Sequence, residues 1–140
     1  MKAKNDDKKS AQLVGNTGLF YVCYELSKRG WNALPTSRNA KGIDIIAYSQ
    51  DANRTRTIQV KSLSKRNPVP FGGADNLSLI ADFVIICRKV FEERPELFIL
   101  TSTDVQKGAH SALGEHGKSH WLECKDYESF RDKWSKIGHG

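Results

Sequence analysis

The sequence predicts a single α/β domain, a mixed sheet with helices on its faces, and three observations carry that prediction. One is a helical stripe in which Leu19, Val22, Cys23 and Leu26 recur at i, i+3, i+4 and i+7. A second is a pair of β-rich runs, GIDIIAY at 42–48 and RTIQVKSL at 56–63, joined by SQDANR, which has turn composition. The third is two later apolar runs, DFVIICRKV and ELFILTS, turned around ERP. The first of these is almost continuously apolar, the signature of a strand covered on both faces.

Taken in order, MKAKNDDKKS is polar, charged and aperiodic, which reads as a disordered tail over residues 1–10 ahead of a domain at 11–138. The helix follows, with Gln12 and Gly15 extending its stripe backward and Gly30 as its stop. WNALPTSRN reads as a short strand entering a loop, and the hairpin comes next. SKRNPVPFGGADN at 64–76 has prolines and paired glycines and no period, so it reads as an exposed loop. After the two apolar strands, TDVQ reads as a capping box with Thr103 as N-cap and Gln106 three residues on. GEHGKSH reads as a loop, WLEC as an edge strand, and DYESFRDKWSKIG as an amphipathic helix ended by Gly138, with Tyr127, Phe130 and Trp134 facing the core. Trp31 also reads as core.

A chain of 140 residues buries roughly two-thirds of its unfolded surface and needs no disulfide or structural metal. Cys23, Cys87 and Cys124 are odd in number, lack CxxC spacing and sit mostly in apolar runs, as expected of reduced thiols in a cytoplasmic protein. No secretory signal is visible, and no apolar run approaches the ~20 residues that cross a bilayer. The net charge of +6 and pI near 9.3 favour a polyanionic partner. Arg54, Arg56, Lys61, Lys65 and Arg66 concentrate that charge around the hairpin, and Arg54, Arg56, Lys65 and Arg66 are the candidate phosphate contacts.

Strand alternation places Gln59 and Lys61 on one surface and Ile58 and Val60 on the other, with Asp44 opening the partner strand. A plain structural reading is available: Asp44 can satisfy backbone N–H groups at a strand start, and Gln59 and Lys61 can be the solvent face of an edge hairpin. His116, His120 and Cys124 are spaced by four, but a glycine-rich setting and the lack of a fourth ligand weigh against zinc. The pair Gly72 and Gly73 belongs to no GxxxxGK phosphate loop.

An Asp, a hairpin turn and then Gln-x-Lys resembles the PD-(D/E)XK nuclease superfamily, carried here by Gly42, Ile43 and Asp44 and by Gln59, Val60 and Lys61. Helix 11–29, with its closing SKRGW, is also similar to the helix preceding that hairpin in archaeal Holliday junction resolvases. The resemblance covers roughly residues 12–101. It implies a restriction endonuclease-like αβββαβ core and a Mg²⁺-dependent DNA endonuclease, with Mn²⁺ as a substitute, DNA as partner and a possible homodimer. Hydrolysing a phosphodiester calls for an aimed nucleophile and neutralised phosphate charge, which a hard cation on oxygen ligands can supply. Asp44, Gln59 and the Val60 backbone carbonyl are the expected ligands, and Lys61 the residue that orients the attacking water.

Two departures from the family stand out. Gln59 replaces the more usual acid, and Leu19 stands where many relatives carry a helix Glu. Glu25 is the remaining carboxylate of helix 11–29 and a further candidate metal ligand, although it lies about 120° from Leu19 around the helix at ~100° per residue. The departures leave two further readings open, a nucleic-acid-binding module with a decayed site and an interaction or immunity-type protein that borrows the fold.

Overall fold

The computed structural model describes residues 2–37 and 41–140, with the backbone alone for residues 2–9. Helix α1 (Lys2–Lys28) is followed by β1 (Asn32–Pro35), β2 (Ile45–Tyr48), β3 (Thr55–Leu63), the two-residue β4 (Val69–Pro70), β5 (Phe83–Arg88) and β6 (Glu96–Thr101). Helix α2 (Ser102–Gly108), β7 (His110–Gly114), β8 (Gly117–Leu122) and the short α3 (Cys124–Tyr127) complete the chain, with 3₁₀ turns at Glu128–Phe130 and Trp134–Lys136. The main sheet runs β1-β2-β3-β5-β6, and a second, three-stranded sheet runs β4-β8-β7. In the main sheet only β3 and β5 pair in parallel.

Period-two alternation divides β5 between two cores, because neighbouring side chains point to opposite faces. Phe83, Ile85 and Cys87 join Val22 and Leu26 of α1, Ile45, Ala47 and Ile58 on one face. Val84 and Ile86 join Phe98, Leu100, Val105, Leu122 and Tyr127 on the other. Burial pushes the Cys87 thiol up to about 12, so this cysteine acts as a small apolar side chain. The helix stripe behaves as its spacing predicts: Val22 and Leu26 are fully buried, and Leu19 and Cys23 pack at the edge of the same core. Trp31 is likewise buried, its indole N–H donating to the Gly138 carbonyl at 3.0 Å. Among the described residues no helix is long and apolar enough to cross a membrane.

Gly18 sets how closely α1 lies on β3. A Cβ there would collide with both the Cβ and the Oγ of Ser62, and the Cβ cannot move without its backbone. Gly18→Ala gains ~1 kcal/mol in helix propensity but overpacks the interface at a typical cost of about 1–3 kcal/mol. The expected net result is a lower melting temperature, restored by a second change, Ser62→Gly. A thermal melt of the two variants checks both.

Several expectations are corrected. Residues 2–10, read as a tail, are the first turns of α1. The helix after β6 is capped by Thr101 rather than Thr103: its side chain accepts from the Asp104 N–H at 3.0 Å, and the Asp104 carboxylate accepts from the Thr101 N–H at 2.9 Å. Asp is the better partner than Gln106 because a carboxylate also meets the positive end of the helix dipole. GEHGKSH is no loop. Gly114 and Gly117 pair across a two-residue turn, Gly117 with φ +107, and close the β7–β8 hairpin, so WLEC contributes to β8, flanked by β4 and β7.

The final amphipathic helix is broken at Arg131 and Asp132. Asp132 has φ +53 and donates its N–H to the Leu97 carbonyl at 2.9 Å, which ties this segment to the β6 edge. The crossover from β3 to β5 carries no helix, and α2, α3 and the small sheet cover that face instead. Part of the loop expected after β1 lies outside the described residues.

Candidate active site at the seam of β2 and β3

Where β2 begins, the ladder to β3 is irregular. Ile45 stands opposite Ile58, yet the N–H of Asp44 also reaches the Ile58 carbonyl, at 2.9 Å. Two residues therefore face one, the arrangement of a β-bulge, which re-aims a side chain and bends the strand. Thr36 takes up the freed groups: its Oγ1 donates to the Ile43 carbonyl at 2.6 Å and its N–H to the Asp44 carbonyl at 2.9 Å. The Val60 N–H, left without a backbone partner, donates to Asp44 Oδ2 at 2.7 Å. In a strand the N–H and C=O of one residue point to the same side. The Val60 carbonyl thus also faces this gap, and among the described residues no donor reaches it.

The bulge turns Asp44 toward α1. Its carboxylate borders a cleft of about 300 Å³ with Val60 and Ser62 of β3 and with Ala11, Gly15, Asn16 and Leu19 of α1. Gln59 and Lys61 border a second cleft of about 220 Å³, on the opposite face of β3, with Lys41, Gly42, Phe71 and Ile80. Asp44 and the Val60 carbonyl thus come together, Gln59 and Lys61 come together, and β3 separates the two pairs. Charge links them. Burial pushes the Lys61 ammonium below the ordinary lysine range, and the Asp44 carboxylate partly offsets that. The Lys61 ammonium sits 5.0 Å from the centre of the Phe71 ring.

The plain structural role of Asp44 is realised, since one carboxylate oxygen caps a backbone N–H; the other has no donor among the described residues. The two oxygens have different work available to them. Leu19 lies in the Asp44 cleft, at the place where a helix acid is expected from the resemblance. Asn16 and Ser62, not singled out from the sequence, are polar groups of the same cleft, and the signal for Asn16 was its position one turn before Leu19.

Glu25 is a correction as a candidate ligand. Burial raises its carboxyl, but hydrogen bonds from Arg29 (2.7 Å) and Tyr21 and the charge of Lys28 bring it below the usual range. It borders a different cleft, with Tyr24, Arg94 and Arg131. The basic border is also split. Arg54 and Arg56 lie at one end of β3, their guanidinium groups 5.5 and 5.4 Å from the Trp31 ring centre, and Arg54 donates to the His139 carbonyl at 2.7 Å. Lys65 and Arg66 follow the other end, beyond Leu63. His120, weighed for zinc, is buried with both ring nitrogens engaged: Nε2–H donates to the Ala74 carbonyl and Nδ1 accepts from Ser111 Oγ, each at 2.6 Å. Among the described residues no group of three His, Cys, Asp or Glu converges as a metal cage.

The bacterial homing endonuclease I-Ssp6803I superposes with a TM-score of 0.61 at 18% identity, over 91% of this chain and 93% of that one. The fold is restriction endonuclease-like. The Holliday junction resolvase Hjc of Archaeoglobus fulgidus superposes with a TM-score of 0.56 at 17% identity, over 84% of this chain and 97% of its own. No family model matches the sequence, and no curated protein matches it.

Proposed function

We propose that the chain is a Mg²⁺-dependent DNA endonuclease. The observation that carries this reading is the bulge that turns Asp44 out of the ladder, so that a carboxylate oxygen and the Val60 carbonyl share one gap at the end of β2. Both are hard oxygen donors, the class that Mg²⁺ and Mn²⁺ prefer, and waters complete such sites. In this reading Asp44 and the Val60 carbonyl would hold the cation, and Gln59, which borders the cleft on the opposite face of β3, falls outside that ligand set. A bound divalent cation supplies Lewis acidity toward the phosphate and a more acidic attacking water. Lys61, in the field of Asp44, orients that water and offsets charge on the phosphate. The water oxygen bonds to phosphorus, one ester P–O bond breaks, and the leaving oxygen takes up a proton. The two superposed nucleases support this reading by fold alone.

Nicking of supercoiled plasmid in Mg²⁺, and its loss in EDTA, tests the proposal. Among the described residues Asp44 is the one carboxylate lining its cleft, which favours a second reading, a DNA-binding module without cleavage that retains DNA binding and nicks nothing. Leu19→Glu separates them further. It adds an acid to the cleft, so half-maximal nicking is expected at a lower Mg²⁺ concentration. Without metal, a half-buried carboxylate lowers the melting temperature, and Mg²⁺ restores it. A metal titration of both activity and melting temperature reads this out.

A further inference from the structure

The positive charge of this chain is unevenly neutralised. Lys28, Arg29, Arg88, Lys89, Arg131 and Lys136 each meet a carboxylate, around α1's end, the β5–β6 turn and the C-terminal turns. Arg66 and Lys125 meet none among the described residues, although they border one cleft of about 610 Å³ with Glu123, His110 and Pro68. The carboxylates nearby are already engaged. Glu123 accepts from the Trp121 indole N–H at 2.7 Å. Asp126 accepts from the Glu123 N–H at 2.8 Å and faces His110 Nε2 at 2.8 Å. The His110 ring stacks on Trp121 with centroids 5.7 Å apart, which stiffens one wall. Two exposed cations are thus left facing the cleft from two separate segments, the crossover after β3 and α3.

We propose that this cleft binds a backbone phosphate of DNA, with Arg66 and Lys125 as the donors; the inference rests on the endonuclease reading. Lys61 lies on β3, and Lys65 and Arg66 follow in the bend just after Leu63, so the basic residues continue in sequence from the candidate site. Arg66 lies seven residues beyond Gln59, a distance of at most ~23 Å at ~3.3 Å per residue. That is at most about seven base pairs at ~3.4 Å each. The contact reads no base, so it extends the footprint to one side of the cut and strengthens binding to all sequences alike.

The test is a salt titration of duplex DNA binding in EDTA, where no cleavage interferes, for wild type, Arg66→Gln/Lys125→Gln and a control, Arg94→Gln/Lys133→Gln. Both doubles remove two charges, but Arg94 borders the Glu25 cleft, away from this one. The expected result is that log K against log salt flattens by about 1.8 in the first double, ~0.9 for each lost contact, and stays unchanged in the control, with both folded by thermal melt. Equal flattening in both doubles, or none in the first, overturns the proposal. A wild type that shows no salt-dependent DNA binding overturns the endonuclease reading along with it. A wild type that nicks while the first double keeps its slope overturns this inference alone.

Discussion

Asp44→Asn is expected to lose Mg²⁺-dependent nicking by more than about 100-fold, since even residues one shell removed from a metal cost 10–100-fold, while its fold stays intact. The amide oxygen of Asn can still accept from the Val60 N–H, which Asp44 holds at 2.7 Å, but it brings no negative charge to a cation. Asp44→Ala removes both functions. It leaves the Val60 N–H unpaired at a cost of ~1–3 kcal/mol, which lowers the melting temperature by several degrees for a domain of this size. Nicking and melting measured together separate the two roles of this residue. Equal nicking by wild type and Asp44→Asn would remove Asp44 from the chemistry.

Lys61→Met is expected to lose ~10²- to 10⁴-fold in nicking and, in the opposite direction, to melt a few degrees higher. Burial lowers the Lys61 ammonium below the usual lysine range, so holding the proton costs the folded state more than the unfolded one. That cost is present at neutral pH, where both states are charged. It disappears as pH rises from the folded value toward the ordinary one near ~10.4, where the unfolded chain still binds the proton and the folded one does not. The gain in melting temperature of Lys61→Met over wild type should therefore shrink with rising pH. A variant that is less stable than wild type at neutral pH would mean that Lys61 packs the Phe71 wall rather than serving the site.

Much of the fold is legible because period-two and period-3.6 patterns report burial directly. The α1 stripe, the hairpin and the doubly covered β5 all follow from them. The orientation of Asp44 does not. Alternation puts an Asp opposite Gln59 on the Gln59 face, and only an extra residue in the ladder, which no pattern records, turns it toward α1. Arg54 and Arg66 are near in sequence to one hairpin, yet β3 is nine residues long and holds them apart. At the C-terminus the spacing of Tyr127, Phe130 and Trp134 is helical, but Asp132 with its positive φ and the tie to Leu97 break the helix. Gly114 and Gly117 read as loop residues because glycine marks loops and tight hairpins alike. Glu25 offered the right side-chain chemistry on the right helix, and its pairing with Arg29 shows that an acid's helical phase decides its partner.

The central claim is that the seam at Asp44 and Val60 binds a catalytic divalent cation. A crystal soaked in Mn²⁺, with data collected for its anomalous signal, tests this most directly. The account predicts a peak in the gap between the Asp44 carboxylate and the Val60 carbonyl, absent in Asp44→Asn. A peak elsewhere on the molecule, or none at saturating Mn²⁺, would contradict it.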